Sequence, residues 1–166
     1  MAHNDHKKAE GKVLSEKIKD IKVAMLTTID RDHNALRSRP MMTQEADSDG
    51  ELWFFTQVSS PIADEAENRQ VNISYASADD NRYISVSGVA ELVRDQKKIE
   101  KLWKPTHNIW FTGGKDDPDL ALLKVTVTSA EYWDGPSNKM VQIFDAARSF
   151  VTGKESMGSS EKLQFE

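Results

Sequence analysis

The stretch from Val23 to Thr56, VAMLTTIDRDHNALRSRPMMTQEADSDGELWFFT, decides the fold. Apolar and polar residues alternate in three runs, and turn-forming residues separate the runs: DRDHN at 30–34 and DSDG at 47–50. Alternation with a period of two is typical of strands that bury one face. The stretch therefore predicts three strands joined by two turns.

The middle strand of the three carries an unusual set of side chains. Counting in twos from Leu36 gives one face that holds two arginines beside a methionine: Arg37, Arg39, Met41 and Thr43. Pro40 has no backbone N–H, so it predicts a local break in the hydrogen-bonded ladder. Cations beside free backbone groups and an apolar surface suit an anionic, partly apolar ligand. The alternative for Arg39 is a surface ion pair with an acidic residue.

Composition excludes several classes of function. The chain has 166 residues, which suits one domain, and its 22 Lys and Arg against 27 Asp and Glu give a net charge of −5. That balance argues against general attraction to nucleic acid or to an anionic membrane. Cysteine is absent, so thiolate chemistry and Cys-based metal sites are excluded. We expect a cytoplasmic protein without a metal site, a signal peptide or a membrane-spanning segment.

The rest of the chain adds short helices and further strands. The patterns predict helices over 5–21, from Pro61 onward, over 95–103 and over 139–151, and strands over 71–76, 82–93 and 120–133. Ser60 followed by Pro61 is a good helix start, whose amides either meet an anion or simply form an ordinary cap. A glycine within a strand, Gly88, predicts a bulge. We expect one domain over 1–152 and a disordered tail over 153–166.

An irregular segment from Lys104 to Asp119 contains two large aromatic residues, Trp110 and Phe111. They either plug one end of the fold or flank a planar ligand. About six strands with short helices between them predict a mostly β (α+β) fold, an antiparallel barrel. Small barrels fill their interiors with side chains, so ligands are expected at a rim or between subunits.

Several segments, taken in order, resemble one known family. They are RPM at 39–41, WFFT at 53–56, Ser60-Pro61, RYISVSGVAEL at 82–92, WF at 110–111, GKDDPDLALLKV at 114–125 and EYWDGP at 131–136. The chain resembles the pyridoxamine 5'-phosphate oxidase-like split barrels, in their general stress protein branch, from about Ile18 to Val151. The resemblance implies a six-stranded antiparallel split β-barrel with flanking short helices. It also implies a homodimer that binds flavin mononucleotide (FMN) in two clefts built from both subunits.

The resemblance also implies which residues contact the cofactor. The strand along the flavin matches Arg39, Pro40, Met41 and Met42, and the next pair matches Phe55 and Thr56. Ser60 matches the start of the phosphate loop, Tyr83 a position that reaches the cofactor, and Trp133 an aromatic near the ring edge. Trp110 joins this set as the loop aromatic that would flank the ring.

Two departures from the family pattern limit what the resemblance implies. Many relatives have a cation where this chain has Pro61 and Ile62, so an expected phosphate contact is missing. Either flavin binds weakly, or Arg37, Arg39 or Lys115 replaces that contact. True pyridoxamine-phosphate oxidases carry Arg-x-His-x-Arg where this chain reads PSNKM at 136–140. We therefore do not expect a vitamin B6 oxidase.

Two functions remain open from the sequence. One is an FMN-dependent oxidoreductase that passes electrons from a reduced nicotinamide or another donor to an acceptor, with the flavin supplying the chemistry. The other is a non-catalytic module that binds or sequesters a flavin, a deazaflavin or another planar ligand, or a stress-response dimer without cofactor. Haem is disfavoured, because His33 and His107 are expected to lie in polar loops.

Overall fold

Seven antiparallel strands form the body of the protein. The computed structural model describes residues 2–135 and 160–165. The strands are β1 Val23–Ile29, β2 Leu36–Ala46, β3 Glu51–Gln57, β4 Arg69–Ser77, β5 Arg82–Val93, β6 Leu120–Asp134 and β7 Ser160–Gln164. The helices are α1 Ala2–Ile18, α2 Pro61–Ala66 and α3 Gln96–Leu102, followed by a 3₁₀ helix at Pro105–Ile109.

The strands follow the order β3-β2-β1-β4-β5-β6-β7, and pairing of β3 with β6 closes the first six into a barrel. The predicted mostly β, six-stranded antiparallel barrel is therefore confirmed, with β7 as an additional strand. The first half of β6 pairs with β3 and its second half pairs with β7, while β5 lies along the other edge. Because β6 is long, it pairs with three strands, β3, β5 and β7.

The turns form where the sequence predicts them. In the β1–β2 turn, the Asp30 carboxylate accepts the backbone N–H of Asp32 at 2.8 Å, and Asn34 adopts a φ of 51°. In the β2–β3 turn, the Asp47 carboxylate accepts the N–H of Glu51 at 3.0 Å, and Gly50 has a φ of 80°. The predicted bulge at Gly88 is present as a register shift against β6.

The core lies inside the barrel and continues under one outer face. Inward side chains of the strands are fully buried, among them Leu26, Phe54, Ile73, Val86 and Val125. Phe55 points outward instead and joins a second buried cluster with Ile99, Leu102 and Leu122 beneath α3. Alternation along β3 thus divides its aromatic run between two cores, because successive residues of a strand face opposite sides.

The C-terminal segment differs from the sequence expectation. Residues 160–164 pair with β6, and the ring of Phe165 is 7 % exposed and packs against the barrel core. The disorder predicted over 153–166 is therefore wrong for residues 160–165, because one aromatic residue anchors a polar strand. Residues 153–159 and the helix predicted over 139–151 lie outside the described residues.

Candidate functional site

The first part of β2 has a free edge on the side facing β3. β2 pairs with β1 without a break from Leu36 to Met42, but it pairs with β3 only from Thr43 to Ala46. Pro40 stands in regular register opposite Met25, so the prediction that it interrupts the ladder is wrong for the β1 side. The break lies on the other edge, where β3 diverges. Backbone groups on that edge have no strand partner within the described residues, which splits the barrel.

A pocket of about 260 Å³ opens at this split and is almost entirely apolar. It brings together half of the cofactor contacts predicted from the sequence: Pro40, Met41, Met42, Phe55 and Trp110. Its remaining lining residues are Val23, Gln44, His107 and Phe111. We call this cavity the apolar pocket. Its volume is just under the roughly 300–1,000 Å³ of small-molecule sites, so one chain encloses part of a ligand such as a planar ring system.

Aromatic rings form one wall of the apolar pocket. The Phe55 ring lies 4.9 Å from the His107 ring, 5.4 Å from Trp103 and 5.9 Å from Phe111, measured between centroids. These tilted and edge-on contacts are the arrangements that aromatic pairs prefer. By contrast, Trp110 is 72 % exposed. Phe55 is therefore packed against neighbouring rings, while Trp110 presents an exposed face beside it.

His107 is a site residue that the sequence analysis placed wrongly in a polar loop. It is 6 % exposed, and its Nδ1 accepts the backbone N–H of Lys104 at 2.8 Å. Burial, together with the nearby Lys104 charge, lowers the pKa of His107, so the imidazole is neutral with its proton on Nε2. The signal in the sequence was the short turn Lys104-Pro105-Thr106-His107. His107 is the third residue after the cap residue Lys104, and its side chain accepts a hydrogen bond from the Lys104 backbone N–H.

Arg39 lies in a partly buried ion pair with the buried carboxylate of Glu65. Its Nη2 donates to Glu65 Oε1 at 2.9 Å, and its Nη1 lies 2.8 Å from Oε2. The Thr28 hydroxyl donates to the same carboxylate at 2.6 Å and accepts from Arg39 Nη1 at 2.9 Å. Burial alone would raise the pKa of Glu65, but the hydrogen bonds from Thr28 and Arg39 bring it below its ordinary value. A ligand phosphate at Arg39 would have to share the guanidinium with Glu65.

Thr56 and Ser60 lie near each other at the start of α2. Their hydroxyl oxygens are 3.1 Å apart, and Ser60 Oγ accepts the N–H of Ala63 at 3.2 Å. Ser60 is thus an ordinary N-cap in this chain. The first turn of α2 also carries Asp64, which pairs with Arg31 at 3.4 Å. Free positive charge is therefore scarce at this helix start.

Tyr83 and Trp133 are separate from the apolar pocket within one chain. They stand opposite each other on β5 and β6, and both side chains are partly exposed, at 42 % and 37 %. Neither residue lines the apolar pocket. One chain thus presents the predicted contacts as several separate groups rather than as one complete site.

A second cavity of about 460 Å³ adjoins the apolar pocket and shares Met42, Gln44 and His107 with it. The end of α1, the second half of β2 and the start of the 3₁₀ helix form its walls. Its polar lining includes Lys19, Lys22, Lys104 and Thr106. We call this cavity the lysine chamber. Sequence periodicity gave no signal for it, because its lysines come from segments far apart in the chain.

Two negative findings apply to the described part of the chain. Residues 2–135 and 160–165 contain no group of three or more acidic or histidine side chains that could hold a metal ion. Within the same residues, no helix combines the length and the apolar character needed to cross a membrane.

Comparison with known proteins identifies the family. Residues 9–157 match the model of the "Pyridoxamine 5'-phosphate oxidase like" family. The chain belongs to the pyridoxamine 5'-phosphate oxidase-like family. Protein bli-3 of Neurospora crassa is 30 % identical over 158 residues, covering 85 % of this chain and 76 % of that protein.

Two solved structures extend the likeness to general stress proteins. The general stress FMN/FAD binding protein of Xanthomonas citri is 31 % identical with a TM-score of 0.65, over 79 % of this chain and 92 % of the other. General stress protein 26 of Bacillus anthracis is 27 % identical with a TM-score of 0.61, over 72 % and 92 %. The resemblance to the general stress branch inferred from the sequence is therefore confirmed.

The site fits one part of the cofactor that the family implies better than another. The apolar pocket, with its aromatic wall and the free backbone edge of β2, suits a planar isoalloxazine ring. The Arg39 end suits a phosphate less well, because Glu65 already accepts from the guanidinium and Pro61 supplies no N–H.

Proposed function

We propose that this protein binds FMN, with the flavin ring in the apolar pocket along the free edge of β2. The observation that carries the proposal is the pocket itself, which gathers Pro40, Met41, Met42, Phe55 and Trp110 at the split. The flavin-binding description of the Xanthomonas citri relative supports it. Arg39, Thr56 and Ser60 would then approach the phosphate end.

A second copy of the chain would complete each cleft. Tyr83 and Trp133 stand apart from the apolar pocket, so in this proposal they serve the cleft that a partner subunit shares. An exposed apolar face on β1 and β2 supports pairing, since Val23, Met25, Ile29, Leu36 and Met42 are all at least 40 % exposed. Such a face is costly to leave in water.

When bound, the flavin would supply the redox chemistry. The chain's own residues would orient the ring between Met41, Phe55 and Trp110 and would exclude water from one of its faces. The neutral His107 imidazole would donate a hydrogen bond from Nε2 to an acceptor in the pocket. The proposed setting is the cytoplasm, and the absent Arg-x-His-x-Arg pattern argues for a substrate other than pyridoxamine phosphate.

Titration of the apoprotein with FMN, followed by quenching of flavin fluorescence, tests the proposal. We expect saturable quenching, and Trp110→Ala should weaken FMN binding by about two- to tenfold through loss of ring stacking. Ile109→Ala is the matched control, because Ile109 is 73 % exposed but does not line the apolar pocket. Absence of quenching, or equal losses in both variants, would refute the proposed site.

Electron transfer separates the two functions that the sequence leaves open. FMN-loaded protein that oxidises a reduced nicotinamide in the presence of a dye acceptor, faster than free FMN does, would be an oxidoreductase. Tight binding without any acceleration would favour a sequestering module. FAD and a deazaflavin, titrated in parallel, would define which flavin the cleft prefers.

A further inference from the structure

The lysine chamber carries positive charge that its own acidic residues do not neutralise. Glu45, a wall residue, is held by Lys98 at 2.7 Å and Lys101 at 3.2 Å, both outside the chamber, and these hydrogen bonds lower its pKa. Lys22 and Lys104 have no ion-pair partner among residues 2–135 and 160–165. Unpaired lysines are unexpected in a chain of net charge −5. Because Lys22 and Lys104 have no such partner within the described residues, their positive charge is available to a ligand.

Another polar cavity shows the contrasting arrangement. A cavity of about 510 Å³ lies beside Arg82 and is lined by both acids and bases. There Lys17 pairs with Asp134, and Arg82 pairs with Asp80 at 3.3 Å. Both basic residues of that cavity are thus paired with acids, whereas Lys22 and Lys104 of the lysine chamber have no such partner within the described residues.

His107 places a hydrogen-bond donor at the boundary between the lysine chamber and the apolar pocket. Its Nδ1 is occupied by the Lys104 backbone N–H, so Nε2 carries the proton. His107 lines both cavities. Its Nε2 is not completely buried without a partner. An N–H donor is therefore available beside the junction.

We propose that the lysine chamber binds the oxyanion, carboxylate or phosphate, of an aromatic small molecule whose ring enters the apolar pocket. Lys22 and Lys104 attract the charge, and His107 Nε2–H donates to an oxygen at the junction. The chamber lies towards Gln44, about 16 Å along β2 from Arg39 at the spacing of a strand. The proposal rests on the proposed function only in that the same apolar pocket receives the ring.

A matched pair of ligands tests the chamber without flavin. Binding of 2-naphthyl phosphate and 2-naphthol to the apoprotein would be measured by quenching of tryptophan fluorescence at low ionic strength. We expect the phosphate to bind about five- to tenfold more tightly, and the preference to shrink in high salt. Equal affinities of the two ligands for the wild-type protein would overturn the proposal.

Variants assign the preference to the chamber. Lys22→Gln combined with Lys104→Gln should bring the two affinities within about twofold of each other. Lys12→Gln combined with Lys97→Gln removes the same charge from exposed positions that do not line the chamber, and it should keep the preference. His107→Phe keeps a ring in the aromatic wall but removes Nε2–H, so it should weaken binding of the phosphate more than that of the naphthol. Equal effects of the two lysine pairs would contradict a specific site.

Comparison of FMN with riboflavin reveals the source of the oxyanion. If it is the flavin's own phosphate, the Lys22→Gln and Lys104→Gln variant weakens FMN binding but not riboflavin binding. If it belongs to a second molecule, both flavins bind the variant as they bind the wild-type protein. If the protein binds naphthyl phosphate in a lysine-dependent way but does not bind flavins, only the proposed function is refuted. Flavin binding without any lysine-dependent preference would refute the chamber alone.

Discussion

At the scale of a residue, the ion pair of Arg39 with Glu65 joins β2 to α2. The place of Arg39 on the same face of β2 as Met41 follows from counting in twos. Its bidentate pairing with Glu65 does not, because Glu65 lies on a helix 26 positions away and only the barrel brings them together. The sequence allows two roles for Arg39, a ligand contact or a surface ion pair. The structure adds a third role, an ion pair with the buried carboxylate of Glu65. The contact with the cofactor stays a prediction.

We predict that Arg39→Ala destabilises the apoprotein by about 3 kcal/mol, because it leaves the Glu65 carboxylate buried without its partner. Glu65 is 6 % exposed. Arg37→Ala is the matched control. Arg37 lies 3.5 Å from the same carboxylate, but half of its side chain is exposed, so its loss should cost at most about 1 kcal/mol. Urea denaturation would measure both, and equal stability of Arg39→Ala and the wild-type protein would exclude the buried pair.

The same ion pair predicts a pH dependence of stability. The pKa of Glu65 is lower in the folded protein than in the unfolded chain. The Glu65 carboxylate therefore contributes its full share of folding stability at pH values above the unfolded-state pKa. That contribution is lost as the pH falls through the lowered folded value. The stability difference between the wild-type protein and Glu65→Gln should therefore be largest near neutral pH and should shrink under acidic conditions. A constant difference would show that the Glu65 charge is not involved.

At the scale of elements, strands and turns follow from local signals, whereas a polar strand anchored by one aromatic residue does not. Hydrophobic alternation and residues such as Asp47 and Gly50 specify β1 to β3. The polar strand β7 has no such pattern. It forms because it pairs with the edge of β6 and because the Phe165 ring packs beside Gly50. The apolar pocket likewise depends on the divergence of β2 from β3, which no local pattern records.

We predict that Phe165→Ala lowers the free energy of unfolding by about 3 kcal/mol, the usual cost of removing a buried aromatic ring. Gln164→Ala is the control, since Gln164 lies on the same segment with its side chain exposed. Thermal and urea denaturation would compare the two variants. Wild-type stability in Phe165→Ala would mean that the C-terminal segment does not contribute to the barrel.

At the scale of the whole molecule, the exposed face of β1 and β2 predicts self-association. Val23 stands opposite Met42, and Ile29 stands opposite Leu36, so the exposed apolar side chains of two strands form one surface. We predict a dimer in solution. Leu36 is 75 % exposed, so Leu36→Glu should leave the fold intact and shift the mass measured by light scattering to that of one chain.

Val58→Glu provides the comparison for that experiment, because Val58 is an exposed apolar residue outside this face. It should remain dimeric. A wild-type protein that is monomeric at micromolar concentration would contradict the dimer and, with it, the assignment of Tyr83 and Trp133 to a shared cleft.

Amide hydrogen exchange with and without FMN tests the central claim most directly, namely that the flavin ring lies along the free edge of β2. We predict that FMN slows exchange in residues 36–42 and 105–111, which border the apolar pocket, and leaves the β4–β5 turn at 78–81 unchanged. Saturable FMN binding without protection of residues 36–42 would contradict it.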